Sequence, residues 1–229
     1  ESGIVNIAQS SSDGIHANPN IQNGADITIT PTGDGIDASN SVELNGGNLT
    51  ISVSTNDAKG IKGKSVFIRG GIQDITAAGD ESKAIKSSGN TEIEGGRTTI
   101  KATGTVVIEA SGSGFDPSYC TGINVIIKGG ILSVECPTSN HGGKGISADG
   151  NILIQKGNID ITTKGDGDKY TNESGSPDSY AASCITADGN ITILAGQITC
   201  SSSGTGGKGI SADGTLSIGV AGIADDSLN

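Results

Sequence analysis

The chain has 229 residues, of which 38 are Gly; only 2% are aromatic and none is Trp, too few large side chains for an ordinary globular α/β core of this length. Its formal net charge of −11 argues against nucleic acid or an anionic membrane as partner and is compatible with a bound cation that prefers oxygen ligands. No apolar run approaches the ~20 residues a membrane span needs, and the four cysteines form no C-x-x-C pair, which argues against zinc.

In chain order, the first recurring element is a short strand centred on Ile, here strand a. It opens as Asp13-Gly14-Ile15-His16-Ala17 and returns as Asp34-Gly35-Ile36-Asp37-Ala38, Lys59-Gly60-Ile61-Lys62-Gly63 and Lys83-Ala84-Ile85-Lys86-Ser87. A degenerate copy at 107–110 follows, then Lys144-Gly145-Ile146-Ser147-Ala148, Ser183-Cys184-Ile185-Thr186-Ala187 and Lys208-Gly209-Ile210-Ser211-Ala212. Each copy precedes a strand b ending in Gly (41–47, 65–71, 90–96, 123–130, 151–157, 190–196) and then a strand c, as at 48–53 and 158–162. Strands b and c alternate apolar with polar residues, the mark of one buried face.

The strand a isoleucines recur at intervals of 21 to 25 residues in the first four copies, a period that signals a stacked array. Three short strands cannot bury a face alone; wound into a coil and stacked at ~4.8 Å, each pairs with its copy in the next coil. The pattern predicts one domain over 1–229: an all-β, single-stranded, right-handed parallel β-helix of about eight coils with three strands per coil. An antiparallel sandwich is the weaker alternative, because three strand types recur in fixed order. Glycines at the corner between b and c supply the positive φ a sharp turn needs. Two inserts border strand a, at 111–122 and 164–182, as binding loops or as tolerated surface loops.

If each central Ile points inward, its neighbours point outward. That reading makes Gly14, Gly35, Gly60, Ala84, Gly145 and Gly209 the floor of a trough beside His16, Asp37, Lys62, Lys86, Glu109, Ser147, Thr186 and Ser211. A linear polymer fits such a trough, and the inserts bring Phe115, Tyr119, Tyr170 and Tyr180 to its edges, where sugar C–H faces stack; a plain solvated β-face is the alternative. Asp149, Asp188 and Asp213 close strand a in three coils as Ala-Asp-Gly. Stacked carboxylates repel unless neutralised, which nominates Ca²⁺, while each Asp bonding its own turn is the simpler account. Asp34, Asp57 and Asp80 at other corners, with Asp166, Asp168 and Glu173 in the second insert, complete the metal candidates.

Catalysis finds little support. No carboxylate pair stands out for glycoside hydrolysis. Lys62 and Lys86 are candidate bases for a lyase, but Lys59, Lys83, Lys144 and Lys208 recur at strand starts as architectural residues do, so no catalytic residue is nominated. His16 and His141 lack a partner at ligand spacing. Cys136 and Cys200 read as buried thiols, and a Cys120–Cys184 disulfide is conceivable.

The Asp34-Gly35-Ile36 and Lys144-Gly145-Ile146-Ser147-Ala148-Asp149-Gly150 motifs, with the Gly-Gly corners, resemble a bacterial family of polysaccharide-lyase-like β-helix proteins that bind cellulose and acidic sugars and carry calcium. The stretch from 142 to 218 is also similar to surface or secreted proteins of gut Bacteroidetes. The resemblance implies a right-handed helix, an extracellular or cell-surface location, calcium, and an acidic or plant cell-wall glycan as partner. It carries no catalytic signature. The expectation is a monomeric, non-catalytic, calcium-dependent polysaccharide binder, as a mature or trimmed fragment, with a pectate-type lyase or a structural stalk or adhesin segment as alternatives.

Overall fold

A computed structural model describes residues 3–79, 82–102, 106–110, 124–137, 142–171 and 175–219. The strands form three eight-stranded parallel sheets, and the chain passes from one to the next in the fixed order the repeats predict, through about seven turns. Sheet a runs from Ile15–His16 to Lys208–Ala212, sheet b from Asn20–Ile21 to Leu216–Ile218, and sheet c from Gly3–Ser10 to Gln197–Ser202. The described residues thus form a parallel β-helix.

Register confirms the isoleucine spacing. Ile15, Ile36, Ile61, Ile85, Ile108, Ile146, Ile185 and Ile210 are successive partners through sheet a. Sheet c stacks Ile29, Ile51, Ile75, Ile100, Val134, Ile161 and Cys200 in the same way. Ile36, Ile61, Ile85, Ile146 and Ile185 are fully buried. Removing one such side chain from water stabilises by about 1.5–3 kcal/mol. The aliphatic columns therefore drive the winding.

Polar ladders tie the corners. Asn90 Oδ1 accepts the Asn124 N–H, Asn124 Oδ1 the Asn151 N–H, Asn151 Oδ1 the Asn190 N–H and Asn190 Oδ1 the Thr215 N–H, at 2.8–3.3 Å. Where sheet c turns into sheet a, Asp13 Oδ1 accepts the Asp34 N–H at 2.9 Å and Asp34 Oδ1 the Lys59 N–H at 2.7 Å. Each bond satisfies a corner amide that no sheet ladder reaches, worth about 1 kcal/mol net. At the b-to-c corners Gly47 and Gly71 hold φ of 77° and 83°. A Cβ on Gly71 would lie 2.4 Å from the Gly47 carbonyl oxygen, so stacking itself requires Gly there.

The glycine row of strand a does not form the floor of an outer trough. A Cβ on Gly35, Gly60 or Gly145 would meet the Cγ2 of Ile51, Ile75 or Ile161 at 2.5, 2.6 or 2.4 Å, and Ala84 is fully buried. The chain bends at this position to enter sheet a, so two successive residues face the core and strict alternation fails.

The 111–122 insert lies outside the described residues. The 164–182 insert contains a two-stranded antiparallel hairpin, Asp168–Thr171 with Pro177–Tyr180, standing between a strand of sheet c and the next strand of sheet a. No helix among the described residues is long and apolar enough to cross a membrane.

Candidate functional site

His16, Asp37, Lys62, Lys86, Glu109, Ser147, Thr186 and Ser211 are successive register partners in one column of sheet a, as the repeats predict; Ser147 is buried. One residue per coil at ~4.8 Å intervals presents a regular row of groups to a polymer lying along the axis.

At the N-terminal end the column is charged and interlocked. His16 Nδ1 lies 3.4 Å from Asp37 Oδ2 and 3.7 Å from Asp13 Oδ2. Lys62 Nζ lies 3.2 Å from Asp37 Oδ1 and 3.4 Å from Asp34 Oδ2. Burial works to lower the Lys62 pKa, but hydrogen bonds and charges from Asp37 and Asp34 outweigh it and raise the ammonium above its ordinary value. Lys62 is thus a fixed positive charge at neutral pH and not a base. Beside it, Ala38, Ser39, Gly63, Lys64, Lys86 and Ser88 complete the lining of a depression of about 200 Å³. Three ammonium groups and two hydroxyls meet there, in a chain of net charge −11.

Lys64, Ser39 and Ser88 escaped the sequence reading, because they sit at the a-to-b corner of three different coils. Tyr180 is not brought to this depression. Its hairpin stands at a c-to-a corner beside Gly142, whose Cβ would meet the Tyr180 ring at 2.6 Å. That is two coils beyond the strand of Lys86, ~10 Å along the axis. Tyr170 lies on the same hairpin, opposite Asp178. Phe115 and Tyr119 lie outside the described residues.

The metal candidates divide. Asp34 uses one oxygen on the Lys59 N–H and turns the other to Lys62. Asp57 Oδ1 is 2.5 Å from Lys59 Nζ, and that hydrogen bond with the Lys59 charge holds its carboxyl below the ordinary range. Asp166 accepts the Thr205 N–H at 2.6 Å, and Asp168 accepts the N–H of Lys169 at 2.7 Å. Asp34, Asp57 and Asp166 are thus engaged by the protein at its corners, and Asp168 within its own hairpin. Asp149, Asp188 and Asp213 are exposed and follow the paired residues Ala148, Ala187 and Ala212 in successive coils. Asp80 and Glu173 lie outside the described residues. Among the described residues, one group of three or more His, Cys, Asp or Glu has ligand atoms all within 4.8 Å: Asp13, His16 and Asp37. It includes an imidazole nitrogen and shares Asp37 with Lys62, so it does not fit calcium, which takes oxygen donors. The Asp149 column fits in donor type.

Two further faces were not singled out from sequence. On sheet b, Arg69 lies 3.2 Å from Glu43 and 3.5 Å from Glu94, with its guanidinium over Phe67 at 4.9 Å. Lys128 lies 2.7 Å from Glu92 and 3.2 Å from Glu94, and the hydrogen bond it donates to Glu92 raises its pKa against burial. These cations are paired within their own face, as Lys62 is with Asp34 and Asp37. Sheet c carries a shallow depression of about 310 Å³ lined by Thr99, Ile100, Lys101, Ser133, Val134, Glu135, Asp160 and Thr162. Its charged lining, one Lys against Glu135 and Asp160, is net acidic.

A family model described as "Carbohydrate-binding domain-containing protein" matches residues 52–224. No curated protein and no solved structure matches the chain.

Proposed function

The chain belongs to the carbohydrate-binding domain-containing protein family, and from that premise we propose that sheet a is its polysaccharide face, with Lys62, Lys64 and Lys86 receiving the carboxylates of an acidic glycan that is held without being cleaved. The observation that carries this reading is the meeting of three lysines and two serines around one depression. An acidic polymer is repelled by the chain as a whole, so its attachment needs a local cluster of the opposite sign. Lys62, Lys64 and Lys86 lie within the matched residues, whereas Asp13, His16 and Asp37 precede them.

The raised pKa of Lys62 supports a non-catalytic reading. A lysine whose ammonium is stabilised by two aspartates donates hydrogen bonds and does not abstract a proton. Calcium enters the proposal through Asp149, Asp188 and Asp213, whose exposed oxygens sit in three successive coils on the same side of the helix as sheet a; a metal there would supply positive charge for further carboxylates. A monomer at the cell surface or outside the cell, where plant cell-wall glycans are met, completes the proposal.

The test is affinity electrophoresis in polygalacturonate and in a neutral glucan, with calcium or with chelator, beside an ultraviolet assay for unsaturated product. The reading expects retardation in the acidic gel, weakened by chelator, and a flat absorbance trace. Equal mobility in all gels removes it, and rising absorbance replaces it with a lyase.

A further inference from the structure

In the coils of Gly14, Gly35, Gly60 and Gly145, a glycine opening strand a faces an isoleucine of the sheet c strand that follows: Ile29, Ile51, Ile75 and Ile161. In one coil both positions change together. Ser183 pairs with Lys144 and Lys208, and Ile185 with Ile146 and Ile210, which sets Cys184 between Gly145 and Gly209 in the glycine row. Cys200 pairs with Ile161 and so holds the isoleucine position of the same coil.

The row has the geometry a disulfide needs. A Cβ on Gly14 lies 3.6 Å from the Ile29 Cβ of its own coil, the relation that Cys184 and Cys200 hold by register. Disulfides join Cβ atoms ~3.5–4.5 Å apart. A Cβ at this position would collide with the Cγ2 branch of an isoleucine, and cysteine has no such branch. Cys136, Cys184 and Cys200 are free thiols in the structure, and the Cys200 side chain is close enough to Cys184 to perturb its thiol. Cys184 Sγ also lies 3.5 Å from the Ile161 carbonyl oxygen.

We infer that Cys184 and Cys200 form a thiol pair that a low-molecular-weight disulfide oxidises to an internal disulfide, closing the coil on itself. One thiolate of the pair attacks a sulfur of the external disulfide and expels one small thiolate. The second cysteine sulfur attacks the mixed disulfide and expels the other. Two cysteine thiols lose two electrons and two protons; the external disulfide gains both and leaves as two thiols. Cys200 is the less buried of the two. The hydrogen bond from Cys200 brings the Cys184 thiol down to about 7 and pushes the Cys200 thiol up, so the pair holds a thiolate at neutral pH to begin the exchange. Cys136 stays out of this chemistry: it is fully buried, and burial pushes its thiol up to about 12.

The test incubates the full chain with oxidised or reduced glutathione, blocks remaining thiols with a maleimide in denaturant, and maps tryptic peptides. Residues 170–208 form one tryptic peptide carrying both cysteines. The expected result is loss of two reactive thiols of four, the mass of that peptide lower by two hydrogens, and reversal by dithiothreitol. The loop closed by the link predicts an unfolding midpoint raised by about 6–12 °C. Cys136→Ser keeps this behaviour and Cys200→Ser abolishes it. Four reactive thiols after oxidation, a link from Cys184 to Cys136 or Cys120, or glutathione retained on Cys200 would each overturn the inference. Mapping of the unaltered chain decides even where a variant fails to fold.

Discussion

Substituting Gly60 by Val separates an outward glycine row from an inward one. In the structure a Cβ at Gly60 lies 2.6 Å from the Ala84 carbonyl oxygen and 2.6 Å from Ile75 Cγ2, and valine adds two further carbons in the same space. Neither neighbour yields easily, since one is backbone in the next coil and the other belongs to a column packed on both sides. Overpacking a tight core costs about 1–3 kcal/mol, and a backbone contact places this case near the upper end. For a chain of this length that lowers the unfolding midpoint by roughly 6–12 °C. Lys62→Val, two residues along the same strand but facing outward, is the control. It removes a half-exposed ion pair and stays within about 1 kcal/mol of the original. Circular dichroism melts of the three proteins, run beside glycan retention, read the difference. A Gly60→Val protein that melts with the original yet loses its ligand would refute the inward assignment and restore an outer trough.

Removing Lys62 and Lys86 together, each to Ala, is expected to weaken retention by polygalacturonate roughly 3–30-fold, with the midpoint little changed, because the charges are half-exposed and act on the ligand; unchanged mobility would move the ligand to another face. Asp188→Asn, at the centre of the exposed carboxylate column, is expected to abolish any effect of calcium on retention, measured as the difference between calcium and chelator gels. Asn151→Ala leaves the Asn190 amide without its 2.8 Å acceptor, at a cost of about 1–2 kcal/mol, and hydrogen exchange should accelerate there before it does in the isoleucine columns. Oxidation of the Cys184–Cys200 pair should quicken as pH rises through about 7 and then level off, because the Cys184 thiol is lowered and its thiolate forms early; a rate still climbing past the ordinary thiol value of about 8.5 would contradict a Cys184 thiolate as the attacking sulfur.

The coil architecture was legible because its cause is periodic. An isoleucine every 21 to 25 residues has one physical reading, a column, and the register places Ile36, Ile61 and Ile85 as partners. The outward column of His16, Asp37, Lys62 and Lys86 followed from the same alternation. The glycine row was misread because alternation was carried through a corner, where Gly60 and Ile61 both turn inward. The depression was half legible: its two column lysines could be named, but Ser39, Lys64 and Ser88 come from corners whose direction no strand pattern gives. The asparagine ladder was hidden for another reason. Asn90, Asn151 and Asn190 all open strand b, yet an Asn before a strand is ordinary turn chemistry until the coils are stacked and each side chain meets the next amide.

A parallel solenoid writes fold and recognition in different columns, and this decides where function is sought. A residue that serves winding must recur, because each coil poses the same packing problem; the isoleucines, the corner glycines and the ladder asparagines all do. A residue that serves a ligand answers to something outside the chain and has no reason to recur. On that criterion Lys59, Lys83, Lys144 and Lys208 belong to the architecture, and the buried Lys59, tied to Asp57, behaves so. Lys62 and Lys86 fall in a column that changes from His16 through Asp37 to Ser147 and Thr186, so no packing rule accounts for them. Cys184 and Cys200 break two packed columns at once and in the same coil. A single break in a core column is a tolerated substitution. Two complementary breaks at facing positions of one coil are what the inferred thiol pair rests on.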